Sequence, residues 1–153
     1  MAHVREQIRD AVVSVVTGLS TTSSRVFVNR QTEITEDELP CLNVSTTSSE
    51  MVDEYSDYYR FNTYDLALTI EGFASGETNV DETLEDILAE VDTAIAADVQ
   101  LEAALGGDKV WFCILESASM DELDEKSTPA STLTMEYRVR YRTSAGDPTT
   151  LIS

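Results

Sequence analysis

Residues 132–143 read TLTMEYRVRYRT, and this stretch has the clearest pattern in the chain. Apolar and polar side chains alternate along it, and a period of two is typical of a β-strand with one buried face. The residues predicted to face the core are Leu133, Met135, Tyr137, Val139 and Tyr141, and those predicted to face outward are Thr132, Thr134, Glu136, Arg138, Arg140 and Arg142. The stretch predicts a sheet with a core on one side and an arginine-bearing surface on the other.

Four earlier segments also predict strands. The longest covers residues 58–73, with Tyr64, Leu66, Leu68 and Ile70 on one face and Asp65, Ala67, Thr69 and Glu71 on the other. Shorter strands are expected at 25–29, 41–45 and 110–115. The last of these is apolar on both faces, as expected for a strand inside a sheet or at a contact with another subunit. The polar segment 46–57 is predicted to be a long loop or projection, and 116–130 a turn.

Two segments have the spacing of amphipathic helices. The first covers residues 4–19, and the second starts at Asn79, which resembles a capping box with Glu82, and extends or kinks towards Leu105. The order is therefore helix, three strands, helix, two strands. This order predicts a single α+β domain over residues 1–143, with a mainly antiparallel or mixed sheet, two helices packed on one face, and a flexible C-terminal tail at 144–153.

The charge of the chain is strongly negative and unevenly distributed. The net charge is −19, with 29 acidic residues against 10 basic ones. An average surface of this kind repels DNA and anionic membranes, and no apolar run is long enough to span a bilayer. We therefore expect a soluble protein with no membrane partner and no sequence-specific nucleic acid partner. The segregated arginines suit a molecule that presents unlike faces to its neighbours, although a solvated acidic surface is an equally simple interpretation.

The sequence offers little for catalysis. It has one histidine, His3, near the N-terminus, and it lacks the glycine-rich, P-loop and zinc-protease motifs. The acidic cluster at 121–125 lacks the spacing of a calcium loop, and Cys41 and Cys113 are interpreted as reduced core residues. We expect no catalytic, cofactor-binding or metal-binding residue, no cofactor and no enzymatic activity. The open alternative is a small enzyme or ligand-binding domain with an acidic pocket. Trp111 and the tyrosines Tyr55, Tyr58 and Tyr59 could also form an aromatic binding surface, although packing residues and loop anchors are the commoner explanation.

The order of elements resembles the tail terminator family of long-tailed phages, of the lambda minor tail protein U type. The resemblance covers the opening helix, the strand at 25–29, the acidic lead-in 36–40 before 41–44, the long strand at 59–73, the acidic second helix and the closing strand at 133–143. It implies an α+β subunit of the virion, made in the host cytoplasm, that forms a ring, usually a hexamer, at the head-proximal end of the tail tube. The implied partners are a second copy, the tail tube protein and the head connector or completion protein. A head-completion or connector protein and a tail tube subunit remain alternatives.

A candidate subunit interface follows from the outward arginines. Arg138, Arg140 and Arg142 are expected to meet acids of a neighbouring subunit, or the acids Asp65 and Glu71 of the long strand. The competing interpretation is that the arginines only neutralise cross-strand carboxylates inside one subunit.

Overall fold

The computed structural model describes residues 2–31, 34–75, 80–107, 109–122 and 130–152, and it confirms an α+β fold. In chain order the elements are α1 (Val4–Val16), β1 (Val26–Val28), β2 (Cys41–Met51), β3 (Phe61–Ser75), α2 (Val80–Ala96), α3 (Glu102–Leu105), β4 (Val110–Glu122), β5 (Ala130–Ser144) and β6 (Leu151–Ile152). Short 3₁₀ turns occupy Glu36–Glu38 and Asp53–Tyr55. Asn79, the predicted cap of α2, lies outside the described residues.

The sheet is mixed and mostly antiparallel. Its strand order is β1-β2-β3-β5-β4, and β6 pairs with β5 beyond the end of β4. Among the described strands, only the β1–β2 pair is parallel. β3 and β5 run side by side over their full lengths, with Leu66 opposite Val139 and Asp65 opposite Arg140. The clearest strand of the sequence is therefore central in the sheet.

The core lies between one face of the sheet and the helices. All five residues of β5 that were predicted to face inward are at most 2% exposed. They share a buried cluster with Ile8 and Val12 of α1 and Leu84 and Ile87 of α2. α2 packs on β3, β5 and β4, while α1 packs on α2, α3 and β2. Gly72 permits the close approach of α2, because a Cβ at this position would lie 3.1 Å from Cγ2 of Ile87.

Two strands are longer than the sequence predicts. β2 continues through 46–51, where a loop was expected, with an irregularity between Thr46 and Ser48, and β4 continues through 116–122, where a turn was expected. Both extensions are mainly exposed and polar. They lack the alternation of a half-buried strand because both of their faces are wet there, and pairing with β3 and β5 supplies their backbone hydrogen bonds.

The C-terminal segment differs from the flexible tail that the sequence predicts. β6 pairs with Arg142 and Thr143 of β5, and Leu151 is 5% exposed. The amide of Val4 donates to the carbonyl of Pro148 at 2.8 Å, and Nε2 of Gln7 donates to the carbonyl of Thr149 at 2.7 Å. The segment is thus held against the start of α1 by contacts that join the two ends of the chain, which local patterns do not reveal.

Candidate functional site

The outer face of the sheet carries the most developed cluster of charged and aromatic side chains. The three arginines of β5 point to this face, and the three described helices pack together on the opposite one. The neighbouring strands place Asp65 and Phe112 beside Arg140, Ala67 and Ile114 beside Arg138, and Thr63 beside Arg142. We call this surface the arginine face and define it by Arg138, Arg140, Arg142, Asp65, Tyr55, Phe61, Trp111 and Phe112.

Arg140 forms a two-point ion pair within the chain. Its Nε and Nη2 donate to the two carboxylate oxygens of Asp65 at 2.8 and 3.0 Å, and the side chains are 17% and 19% exposed. The guanidinium carbon also lies 5.1 Å from the ring centre of Phe112 and 5.3 Å from that of Tyr55. The hydrogen bonds to Asp65 raise the pKa of Arg140 against the opposing effect of desolvation. This geometry supports the interpretation of Arg140 as a charge neutralised inside one subunit.

Arg142 holds the turn after β2 over the sheet. Its Nε donates to Oγ1 of Thr63 at 3.0 Å, and its Nη2 donates to the carbonyl of Tyr55 at 3.1 Å. Its guanidinium lies 4.1 Å from the ring centre of Phe61 and 4.9 Å from that of Trp111. All of these partners are neutral, so no carboxylate in the described chain forms an ion pair with Arg142.

Arg138 and Glu71 lie further along the same face. The side chain of Arg138 is 38% exposed, its Nε lies 3.8 Å from a carboxylate oxygen of Glu116, and that Nε has no hydrogen-bond partner. Glu71 is opposite Thr134, four residues along β5 from Arg138, and accepts a hydrogen bond of 3.4 Å from Asn43. The structure therefore brings Asp65, but not Glu71, to the arginines.

Aromatic side chains complete the arginine face, and the sequence only partly indicated them. Tyr55 and Trp111 form an edge-to-face pair with ring centres 5.4 Å apart. Tyr58 and Tyr59 do not join it but lie in the turn before β3, 61% and 95% exposed. The sequence feature that indicated apolar side chains on this outer face was the apolar character of both faces of β4. It reflects Phe112 and Ile114 on the outer side and Val110 and Cys113 in the core.

Helix α2 carries a second charged surface on the opposite side of the sheet. It contains six acidic residues and no basic one, and Asp81, Glu82, Glu85, Asp86 and Asp92 are exposed. Two of its carboxylates have described partners: Glu90 accepts from Thr21, and Asp92 accepts from the Tyr137 hydroxyl at 3.5 Å. No lysine or arginine within the described ranges forms an ion pair with α2.

A cleft with a volume of about 420 Å³ lies at one end of the sheet. It is lined by the stacked rings of Tyr64 and Tyr141, 5.5 Å apart, and by Arg5, Asn62 and Asp147. His3 also lines it, but Nδ1 of His3 accepts the amide hydrogen of Arg5 at 3.0 Å and so caps α1. The cleft thus has an aromatic wall and one cation but shows no paired nucleophile and base.

The described residues contain no group of three His, Cys, Asp or Glu side chains placed to hold a metal ion. Most of the acidic cluster at 121–125 lies outside the described residues. Cys41 and Cys113 are buried free thiols, and burial raises their pKa values to about 11 and about 12. Neither thiol is therefore appreciably ionised at neutral pH. No helix in the described part of the chain is long and apolar enough to span a bilayer.

Comparisons with known proteins find similarity among solved structures. No family model matches the chain, and no curated protein matches it. Among solved structures the chain is similar to a chain of the "Virion of native gene transfer agent (GTA) particle", with 14% identity, 90% of both chains covered and a TM-score of 0.41.

Proposed function

We propose that the protein is a non-enzymatic structural subunit of a phage-type virion that forms a ring on the head-proximal end of the tail tube. In this role it ends tail polymerisation and provides the surface for head-tail joining. The observation that carries the proposal is the arginine face, a sheet surface that no described helix covers and that holds Trp111, Tyr55, Phe61 and three arginines.

The chemistry of this face suits protein contact. Tryptophan, tyrosine and arginine are enriched at the energetic centres of protein interfaces, where their large side chains bury much area with little loss of conformational entropy. Here they are already positioned by mutual contacts, because Arg142 lies against the rings of Phe61 and Trp111. A preorganised surface loses less freedom on binding than a mobile one.

The resemblance of the sequence to tail terminators supplies the particular role. The elements that carry the resemblance occur in the fold in the same order, as α1, β1, β2, β3, α2 and β5. The proposed partners are further copies of the chain, which form a hexameric ring, together with the tail tube protein and the head connector.

Electron microscopy of the purified protein mixed with uncapped tail tubes or with tail-less heads tests this function. We expect rings at one end of each tube and no tube growth when further tube protein is added. Arg138→Glu should weaken ring formation, while Arg60→Glu, the same charge change at a side chain 81% exposed outside the cluster, should not. Binding to heads but not to tubes would identify a neck component instead, and incorporation along the whole tube would identify a tube subunit.

A further inference from the structure

We propose that the arginine face receives the exposed acidic side of α2 from a second copy of the chain, so that subunits join head to tail. This inference rests on the proposed function and names the contact that would build the ring. It is carried by two surfaces of opposite charge on opposite sides of one sheet.

Two of the three arginines of the arginine face are not fully neutralised by carboxylates within the described part of the subunit. Arg140 is neutralised by Asp65, whereas Arg142 contacts only neutral groups in the described chain. Arg138 lies 3.8 Å from Glu116, and its Nε makes no hydrogen bond. In a chain of net charge −19, a surface with two incompletely compensated arginines is where an acidic partner meets the least repulsion.

Helix α2 carries the complementary charge. Asp81 and Glu85 are spaced four residues apart, as are Glu82 and Asp86, so like charges are neighbours on its exposed side. Such pairs destabilise a helix, and no described cation forms an ion pair with them. Asp81 and Glu82 gain some stabilisation from the positive end of the helix dipole, but Glu85 and Asp86 lie beyond the first residues. Arginines from another molecule would relieve this repulsion.

The occupant is a second copy because each copy carries both surfaces. Two arginine faces placed together would bring cations against cations, and two α2 helices would bring carboxylates against carboxylates. Attraction requires unlike faces, and these lie on opposite sides of the sheet because α2 packs on the core face. Such a heterologous contact leaves one free face of each kind at the two ends of a row of subunits. The row closes into a ring when the rotations between successive subunits add up to a full turn.

Mixing two complementary variants tests this geometry. The face variant carries Arg138→Glu and Arg142→Gln, and the helix variant carries Glu82→Lys and Asp86→Lys. Each variant alone should self-associate at least roughly tenfold more weakly than the wild type in sedimentation velocity. Their mixture should form a one-to-one dimer and nothing larger, because only the intact α2 of the first and the intact arginine face of the second can pair.

A matched control separates lost contacts from altered net charge. Glu6→Lys with Asp10→Lys makes the same charge change at the same spacing on the exposed side of α1, so it should assemble at least as well as the wild type. Thermal melting checks that every variant is folded, and Arg138→Glu alone replaces the face variant if loss of Arg142 loosens the fold.

Three results would overturn the inference: a mixture that stays monomeric, a helix variant that assembles like the control, or a wild type that is monomeric up to millimolar concentration. Tube capping by wild-type protein with any of these results would leave the proposed function standing. A one-to-one dimer of the two variants, without tube capping by the wild type, would support this contact between subunits and refute the proposed function.

Discussion

Replacing Asp65 by asparagine should destabilise the subunit by about 2 kcal/mol. Exposed ion pairs contribute about 0–1 kcal/mol, and removing one partner of a fully buried pair costs about 3–5 kcal/mol. The Asp65–Arg140 pair lies between these limits, since its side chains are 19% and 17% exposed and joined by bonds of 2.8 and 3.0 Å. For a domain of this size, 2 kcal/mol corresponds to a decrease of about 4–8 °C in the melting temperature.

Urea and thermal unfolding followed by circular dichroism would measure this effect in a double-mutant cycle. Arg140→Met should cost about as much as Asp65→Asn, and the double variant should be less destabilised than the sum of the single variants by about 1–2 kcal/mol. Glu71→Gln is the matched control, because Glu71 is on the same face of β3 but forms no described ion pair with Arg138, Arg140 or Arg142. It should change the free energy of unfolding by less than about 0.5 kcal/mol.

The opposite pattern would refute the structural argument. If Arg140→Met had the melting temperature of the wild type but failed to assemble, Arg140 would contact acids of a neighbouring subunit, as the candidate interface from the sequence allows. Strict additivity in the cycle would show that the two side chains do not interact in the folded subunit.

Four further predictions follow from the fold and its charges. Truncating Tyr137 or Val139 to alanine should cost about 2–4 kcal/mol, because each leaves a cavity in the core, and unchanged urea midpoints would show that this face is not buried. Leu151→Ala should speed hydrogen exchange of the amide of Val4, which bonds to Pro148, and unaltered protection would mean that β6 does not hold this end. The hydrogen bond from Arg30 lowers the pKa of Glu38 from 4.5 to about 2, so the stabilisation by this ion pair is complete above about pH 4.5 and is lost as the pH falls to 2. Glu38→Gln should therefore make the free energy of unfolding depend less on pH between 4.5 and 2. A pH dependence equal to that of the wild type would contradict the ion pair. Self-association should be strongest at intermediate salt, because moderate salt screens the long-range repulsion between subunits of net charge −19 and high salt weakens the ionic contacts between them. Self-association that only rises or only falls with salt in sedimentation would exclude one of these two effects.

The sequence alone determined the core side of the fold. The alternation in β5 identified all five of its buried apolar residues, and the helical spacing in α1 and α2 identified residues such as Ile8, Val12 and Leu84. These patterns are local, because a side chain that faces a core recurs with the period of its own strand or helix. The α+β class followed from the order of these elements, and the outward direction of the three arginines followed from the same alternation.

Only the tertiary structure decided what the outward residues contact. Register placed Asp65 rather than Glu71 beside Arg140, and the turn after β2 brought Tyr55 to Trp111, more than fifty residues away in the sequence. The strand extensions in β2 and β4 and the docking of β6 likewise depend on pairing with distant segments. Periodicity reports which way a side chain points, but the partner of a charge is set by cross-strand register and by the path of the chain, and no local pattern encodes these.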